Sequence, residues 1–372
     1  MNLKKNLIFL LLTGIVSLSA CSKQTDAVAR GEDSKTENIN SGIVFPETYS
    51  ISDDNVTFNL SPEIPENMDV NNLHEVSVRS ILNNDASAAL EYWGKDKGVV
   101  ETHELPADQF MPEEYYYSFD DGSQLSAGGS SLSYTSPHEQ YYTRVFRQIS
   151  DDAAILEDGS SDFSFASSSD CLRELADTLK MVGYDITFAS SVFSLTAEQA
   201  KDWEEHLTMD AMDGDRQEDA YKNAWTEEDN AYLISAYQTY NGLPVFNERL
   251  ALNQVMAVDS PDNAPIQAIC TVRGLEYLAV TAQYEFTETD KVVSLLPFET
   301  IAETISTKFN SVLSESPYEV YKAKLFLMVR FVTAEDYAAF PIWYFEAREE
   351  GSDTKSVIIV DAATGKEINI GQ

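Results

Sequence analysis

The chain has 372 residues, of which 62 are acidic and 25 are lysine or arginine, so that its formal net charge is −37. This charge argues against nucleic acid, whose partners carry a basic surface, and against direct docking on anionic lipid. The apolar fraction of 43% is normal for a globular protein, and the length suggests two or three domains.

The first twenty residues predict export and lipidation. Two lysines precede the apolar stretch Leu7–Leu18, which is shorter than the about 20 residues of a membrane span and suits a secretory signal. The following Leu18-Ser19-Ala20-Cys21 resembles the lipobox of bacterial lipoproteins. That resemblance implies removal of residues 1–20 and a lipid on Cys21, which would anchor the protein on the extracytoplasmic face of the cell membrane. A plain cleaved signal with a coincidental cysteine is the alternative.

Residues 21–42 are predicted to be a disordered leash. They contain almost no bulky apolar side chain, so folding could not bury enough surface to offset the loss of chain entropy. Such a leash would hold the folded part of the protein away from the membrane.

Residues 43–160 are predicted to form an N-terminal α+β region. The residue pattern predicts a helix at Asp85–Lys95 and strands at Glu114–Phe119 and Ser131–Thr135. The intervening Ser123–Ser133 is rich in serine and glycine, and we expect a loop there.

Residues 161–256 show clearer signals. Asp170–Val182 has an apolar helical face, with Asp170 as the expected cap and Gly183 as the end. Thr196 to Gln199 forms a capping-box pattern that predicts a second helix to about Leu207.

A hairpin follows in the same region. Asn230–Tyr240 is predicted to be a strand, and Asn241-Gly242 is a strong turn signal because both residues tolerate a positive φ. Leu243–Phe246 carries the chain back, and Pro244 favours an edge position because it lacks an N–H group.

Residues 257–372 repeat this order of elements. A hairpin around Arg273-Gly274 is predicted first, followed by a helix at Pro297–Leu313 with one apolar stripe. The remaining predicted strands are Tyr321–Phe331, which alternates as a half-buried strand, Pro341–Ala347, Ser356–Asp361 and Lys366–Ile370. The hairpin strands are Ile266–Val272 and Leu275–Phe286.

Two stretches resemble PepSY and related propeptide modules. Tyr237–Phe246 carries the pattern Q-x-x-x-G-x-P-V, and the segments PIWYFE and SVIIVDAATGKEI resemble the closing strands of that module. The layout is also similar to an uncharacterised, clostridial-type lipoprotein family of Firmicutes and to extracytoplasmic accessory regulators of a two-component kinase. These resemblances imply an α+β fold with tandem PepSY-like units, residues 161–256 and 257–372. Each unit would have one or two helices packed on an antiparallel sheet.

The PepSY resemblance also bears on individual residues. Such modules bind, inhibit or regulate a protein partner outside the membrane, and the resemblance carries over no catalytic residue. The motif residues are Gly242, Pro244, Trp343, Asp361 and Gly365, for which we expect structural roles in turns and in the core.

Catalytic and metal-binding motifs are not found in the sequence. His74, His103 and His138 are each followed by glutamate but lack the second histidine of a zinc hydrolase. Asp210–Asp219 is acidic but fails the pattern of a calcium loop. We therefore predict no cofactor, no metal site and no enzymatic activity.

Two further cysteines, Cys171 and Cys270, lie about 100 residues apart in different predicted elements. One disulfide is an option for an exported protein, but sequence separation does not show that the two sulfur atoms meet. We expect two buried free thiols, with a disulfide as the alternative.

The function that these observations favour is a lipid-anchored, non-catalytic binding or regulatory module for a protein or peptide partner at the cell surface. Open sheet edges would offer sites for strand addition. A solute-binding lipoprotein of a transporter is the alternative, and a secreted hydrolase without a recognisable motif is the third candidate.

Overall fold

The computed structural model describes most of the chain beyond residue 44. The described residues are 45–66, 68–70, 72–81, 86–107, 113–129, 131–151, 162–207, 222, 224–247, 264–311, 316–331, 337–352 and 355–369. The predicted signal peptide, the lipidation site Cys21 and the leash 21–42 lie outside these residues. They therefore remain predictions.

The described residues form sixteen strands and five helices. The strands before residue 200 are β1 (Tyr49–Asp53), β2 (Val56–Leu60), β3 (Leu73–Ser80), β4 (Val99–Leu105), β5 (Glu114–Phe119), β6 (Gln124–Gly128), β7 (Ser131–Thr135) and β8 (Phe188–Leu195). The later strands are β9 (Ala231–Tyr240), β10 (Leu243–Asn247), β11 (Ile266–Thr271), β12 (Gly274–Thr281), β13 (Tyr284–Val293), β14 (Tyr318–Phe331), β15 (Tyr337–Glu349) and β16 (Lys355–Asp361). The helices are α1 (Ser87–Gly94), α2 (Glu139–Asp151), α3 (Ser168–Met181), α4 (Ala197–Leu207) and α5 (Phe298–Asn310).

All sixteen strands belong to one hydrogen-bonded sheet. Its main path is β13-β3-β15-β14-β10-β9-β11-β12-β7-β6-β5-β4, and β1–β2, β8 and β16 branch from it at β14, β9 and β15. Most neighbours are antiparallel, but β14 pairs in parallel with both β10 and β2. The sheet is therefore mixed.

The predicted fold class, α+β with tandem PepSY-like units of helices on small antiparallel sheets, is wrong. The described structure is mostly strand, and its strands form a single large mixed sheet. Strand β7 pairs with β12, and β3 pairs with β13, so hydrogen bonding joins segments that are far apart in the chain. The residue pattern of a strand predicts which of its faces is buried. It does not predict the neighbouring strand, because the backbone N–H and C=O groups can pair with those of any other strand. The boundaries at residues 160 and 256 stay predictions.

The sheet is covered by helices on two faces around β9, β11 and β12. Helices α1 and α3 pack on one face through Trp93, Leu175 and Leu179. The opposite face contacts α2 and α4, where Tyr142 and Ala200 are buried. Neighbouring residues of β9 therefore point into different cores.

Around β14 and β15 the sheet is also buried on both faces. Helix α5 covers one face with Phe298, Ile301 and Ile305, which pack in the same core as Trp343. The sequence predicted a half-buried strand at Tyr321–Phe331, but its second face is buried too, because Phe326 and Met328 form a separate core with Ile342, Tyr344 and Ile359.

The ends of α3 and α4 are fixed by capping boxes. For α3 the cap is Ser167 rather than the predicted Asp170: the Asp170 N–H donates to the Ser167 hydroxyl at 3.1 Å, and the Ser167 N–H donates to the Asp170 carboxylate at 3.2 Å. Asp170 therefore occupies the third helical position of the box. The predicted capping box of α4 is confirmed, since the Thr196 N–H donates to the Gln199 side chain at 2.9 Å.

Two strand predictions need correction. The expected loop at Ser123–Ser133 contains β6, in which Leu125 and Ala127 are buried. Its small residues serve packing, because a Cβ atom on Gly128 would lie 2.6 Å from the Glu113 carbonyl oxygen. The expected single strand Leu275–Phe286 is divided into β12 and β13 by Ala282, whose φ of 53° breaks the extended backbone.

Pro244 does not mark an edge strand. Strand β10 pairs with β9 at residues 243–244 and with β14 at residues 245–247. The proline lies where the strand changes partner, so its missing N–H group interrupts neither run of pairing.

Substitutions at Trp343 should show how far stability depends on the core under α5. Trp343 is fully buried and makes edge-on contacts with Phe45 and Phe298. We expect Trp343→Ala to lower the free energy of unfolding by about 3–5 kcal/mol. Trp343→Phe should cost clearly less, because the indole Nε1 has no hydrogen-bond partner among the described residues. Urea unfolding of the purified variants measures both changes.

A matched control is Val357→Ala, which alters an exposed residue of the neighbouring strand β16. Its effect should stay within about 0.5 kcal/mol. Equal losses for Trp343→Ala and Trp343→Phe would contradict the expectation that ring packing gives Trp343 most of its contribution to stability.

Candidate functional site

The residues singled out for metal chemistry do not come together. His74 hydrogen-bonds the Thr289 carbonyl oxygen and Asn72, and His103 lies against the Tyr116 ring. No group of three metal-ligating side chains occurs among the described residues, and the acidic segment 210–219 lies outside them. Within the same described ranges, no helix is both long and apolar enough to cross a membrane.

The PepSY-motif residues occupy structural positions. Gly242 has a φ of 82° in the β9–β10 turn. The Asp361 carboxylate accepts the N–H groups of Ala363 and Thr364 at 2.9 and 2.8 Å and so closes the turn after β16. Gly365 has a φ of 70°. Gly242, Asp361 and Gly365 therefore serve to form turns. Trp343 is buried in the core.

Three exposed apolar side chains lie close together in the sequence of strand β4. Among the described residues, β4 pairs with β5 alone and ends the main path of the sheet. All seven of its residues are exposed, and the exposed fractions are 46% for Val99, 65% for Val100 and 42% for Leu105. Tyr116 on the neighbouring strand β5 is 40% exposed. We call β4 together with Tyr115 and Tyr116 the β4 edge.

The pairing register divides the β4 edge into two faces. Glu104 lies opposite Tyr115, and Leu105 lies opposite Glu114. Tyr115 is packed against the core under α1 and α3, so Glu104 is on the helix side of the sheet and Leu105 on the other side. The register shifts between Val99 and Glu101, which places an extra residue, Val100, in a β-bulge.

Acidic side chains dominate the charge of the β4 edge. A hydrogen bond to Glu113 raises the pKa of Tyr115 to about 12, and a hydrogen bond to Glu114 raises the pKa of Tyr116. The Tyr116 hydroxyl donates to Glu114 at 2.5 Å. Both phenols therefore stay neutral at pH 7 and act as hydrogen-bond donors to the glutamate side chains.

A lysine anchors the start of β4. The Lys97 ammonium donates to the Ser123 hydroxyl at 2.8 Å and the Tyr134 hydroxyl at 2.9 Å, and it pairs with Asp121 at 2.9 Å. Burial would raise the pKa of Asp121, but hydrogen bonds from Ser123 and Lys97 outweigh it and lower the pKa to about 2. The β5–β6 turn and the residues before β4 are thus tied together.

A second surface feature is a polar cleft of about 780 Å³ between the β1–β2 hairpin and the ends of β14 and β15. Arg348 donates from Nε and Nη2 to one carboxylate oxygen of Glu319, at 2.9 and 2.6 Å. Hydroxyl and amide groups line the opposite wall, contributed by Ser50, Thr57 and Asn59. The cleft offers donors and acceptors to a polar solute.

A network of buried charges lies on the α2–α4 side of the sheet. Glu276 and Asp229 are buried and pair with Arg273, and Lys222 also pairs with Asp229. The Arg273 guanidinium donates to the Tyr142 hydroxyl at 2.9 Å, and burial raises the pKa of that phenol. Through Arg273 and Tyr142 the network connects the β11–β12 turn to α2. Because both carboxylates already have a cationic partner, we do not assign a ligand site to this network.

The two cysteines of the folded part are both buried, as the sequence predicted, and no bond joins their sulfur atoms in the structure. The sequence did not predict that they would lie in one core. It also missed the β4 edge, because the strand Val99–Leu105 carries no regular alternation of apolar and polar residues.

The chain resembles a solved structure in its fold. An uncharacterised protein from Eubacterium rectale ATCC 33656 matches with a TM-score of 0.62 and 13% identity over 88% of this chain and 94% of that chain. The C-terminal domain of Bacillus megaterium YpeB matches 79% of this chain and 98% of its own, with 10% identity and a TM-score of 0.29, which is too low to establish a shared fold.

No family model and no curated protein matches the chain. The fold of the Eubacterium rectale protein shows architecture alone, since function resides in particular sites.

The Asp121–Lys97 contact should make the β4 edge sensitive to acid. Because the folded protein lowers the pKa of Asp121 from 3.8 to about 2, the ionised carboxylate contributes stability above pH 4 that is lost as the pH falls towards 2. The side chain is 43% exposed, so solvent screening limits the loss in Asp121→Asn at pH 7 to about 1 kcal/mol or less. Urea unfolding between pH 7 and pH 2.5 measures how the difference from wild type shrinks.

Asp185→Asn is the control, because Asp185 forms an ion pair with Lys180 but is almost fully exposed. Its effect should be small at every pH. A difference between wild type and Asp121→Asn that stays constant down to pH 2.5 would contradict the role assigned to the carboxylate.

Proposed function

We propose that this protein is a non-catalytic binding module, held on the extracytoplasmic face of the cell membrane by a lipid on Cys21. Its partner is a protein or peptide whose extended segment adds as a strand to the β4 edge. The observation that carries the proposal is the exposed strand β4, where three apolar side chains are more than two-fifths exposed at the end of the sheet.

Strand addition supplies affinity through the backbone and specificity through alternate side chains. An edge strand presents N–H and C=O groups on its free side, and an extended peptide can pair with them. Along β4, Val99, Val100 and Leu105 offer apolar contacts, and Tyr116 adds an aromatic ring next to His103. Exposed apolar groups of this kind are ordinarily avoided on edges, and they favour an interaction site.

The charge of the β4 edge selects the chemistry of the partner. Glu101 and Glu104 are exposed on β4, and Glu113 and Glu114 lie beside the tyrosines of β5. Lysine or arginine on an added strand would lie opposite these carboxylates, whereas a second copy would bring like charges together. Because Glu101 and Glu104 lie three residues apart and therefore on opposite faces of β4, the expected partner segment carries basic residues at a spacing of three, with apolar residues between them.

Two of the other strands that pair on one side, β13 and β16, support this choice by contrast. Exposed residues of β13 are polar except Val292, and Glu288 there is engaged by Tyr240 and Asn241. On β16 the end of the strand is bridged by Glu367. The resemblance of the sequence to PepSY modules adds weight to a binding role, because such modules act on protein partners.

A charge-swap experiment tests the β4 edge. A fluorescent peptide of the repeat Lys-Val-Val, whose lysines three positions apart fall on alternate faces of a strand, should bind wild type, and a matched peptide with glutamate in place of lysine should not. Glu101→Lys/Glu104→Lys should weaken the lysine peptide by about fivefold or more, since two attractive pairs become repulsive, and should improve binding of the glutamate peptide. Fluorescence polarisation at low and high salt measures these affinities.

The matched control changes the same charge at another edge. Glu285→Lys/Asp290→Lys alters two exposed residues of β13, so it reproduces the change in net charge without touching β4. Equal weakening by both double variants would show attraction to the whole acidic protein rather than recognition by the β4 edge.

Lipid anchoring is tested by Cys21→Ser. The wild-type protein should sediment with membranes and be released by detergent, because two or three acyl chains give stable anchoring. Cys21→Ser should move to the soluble exported fraction, whereas Cys171→Ser, which alters a buried thiol, should stay with the membranes. A Cys21→Ser protein that sediments like wild type, or a wild-type chain that keeps residues 1–20, would refute the anchor.

The polar cleft favours a second candidate, a solute-binding lipoprotein of a transporter. Its volume of about 780 Å³ suits a small ligand, and Arg348 is its cationic group. A thermal-shift screen of sugars, amino acids and short peptides tests this function. A compound that raises the melting temperature of wild type by several degrees but not that of Arg348→Gln would favour the cleft over the β4 edge.

A further inference from the structure

Cys171 and Cys270 lie on facing elements of one core. Cys171 belongs to the first turn of α3, and Cys270 belongs to β11 in the sheet below. Each side chain is 1% exposed, and both belong to the core that α1 and α3 form with the sheet. The chain brings them together across almost 100 residues.

The contacts of Glu174 fix how the helix lies over the strand. Its carboxylate oxygen Oε2 is 3.8 Å from the Cys270 sulfur. Its other oxygen would lie 3.4 Å from a Cβ atom on Gly274, in the turn that follows β11. Because residues three apart share a face of a helix, Cys171 is directed to the same part of β11 as Glu174. Cys171 is also close enough to Cys270 to be a cause of the raised pKa of the Cys270 thiol.

Tyr232 fixes the segment that leads into α3 next to Cys270 of β11. It lies opposite Cys270 in the β9–β11 register. Its hydroxyl donates to the Ala166 carbonyl oxygen at 2.9 Å and accepts the Phe163 N–H at 2.8 Å. The residues leading into α3 are thus attached to the strand next to Cys270, which limits how far the two sulfur atoms can separate.

We propose that Cys171 and Cys270 form a structural disulfide that joins α3 to β11 when the chain folds outside the cytoplasm. The two thiols lose two protons and two electrons, and one Sγ–Sγ bond forms. A small-molecule disulfide such as oxidised glutathione accepts the electrons and is released as two thiols. The extracytoplasmic setting rests on the proposed function, whereas the pairing rests on the contacts above.

The environment of the thiols indicates a permanent bond rather than a switch. The proximity of Cys171 and burial both raise the pKa of Cys270, so the thiolate needed for exchange is rare in the folded protein. Burial also keeps oxidants and reductants away from both sulfur atoms. Oxidation is therefore expected during folding, before the core closes, and reduction of the native protein is expected to be slow.

The test is refolding of the full chain with Cys21→Ser, so that two cysteines remain. The chain is unfolded in guanidinium with reductant, refolded in a glutathione redox buffer, and its free thiols are counted in denaturant. We expect no free thiol, a mass lower by two hydrogen atoms, and a cross-linked peptide pair containing Cys171 and Cys270. Closing a loop of about 100 residues should raise the melting temperature by about 5–10 °C over the reduced protein.

Matched variants separate the bond from general effects of oxidation. Cys171→Ala and Cys270→Ala should each retain one free thiol, and their melting temperatures should not respond to reductant. A refolded parent chain, with native circular dichroism, that keeps two free thiols would overturn the inference. So would a mixed disulfide of each cysteine with glutathione. These results are independent of whether Cys21 anchors the protein.

Discussion

The pairing of β14 with β15 is the interaction on which the rest of the structure depends. The two strands are in register from Tyr318 opposite Glu349 to Phe331 opposite Tyr337. Each then divides its outer side between two further strands: β14 pairs with β2 and β10, and β15 pairs with β16 and β3. Because both faces of this pair are buried, one under α5 and one in the core around Phe326 and Tyr344, it connects every other part of the sheet.

The short strand β10 makes the sheet continuous. It leaves the β9 hairpin at Pro244 and joins β14 in parallel one residue later, so that the region under α1 and α3 and the region under α5 share hydrogen bonds. A sheet of this extent keeps open ends. The end at β4 combines exposed apolar side chains with negative charge. We propose that a basic, extended partner would gain most binding energy there, whereas a second copy of the chain would be repelled.

Nearly all buried polar side chains of the described residues have a hydrogen-bond or ion-pair partner. Asp229 and Glu276 have cationic partners, and Gln238 exchanges two hydrogen bonds with the backbone of Tyr284, at 2.6 and 2.9 Å. Such pairing avoids the cost of an unsatisfied buried group and attaches β13 to β9 beyond their own strand partners. It also explains why these residues, although charged or amide-bearing, supply no site.

The sequence by itself determined the local elements: the helix at α5 with its stripe of Ile301, Ile305 and Phe309, the capping box of α4, the Asn241-Gly242 turn, and the strands at β5, β9 and β16. These follow from periodicity, caps and positive-φ turns, which act over a few residues. Only the tertiary structure decided that β3 would pair with β13 and β7 with β12, that β4 would end the main path of the sheet, and that Cys171 and Cys270 would share one core. Backbone hydrogen bonding does not specify which strand is its partner, and that choice is made by how all the apolar faces can be buried together.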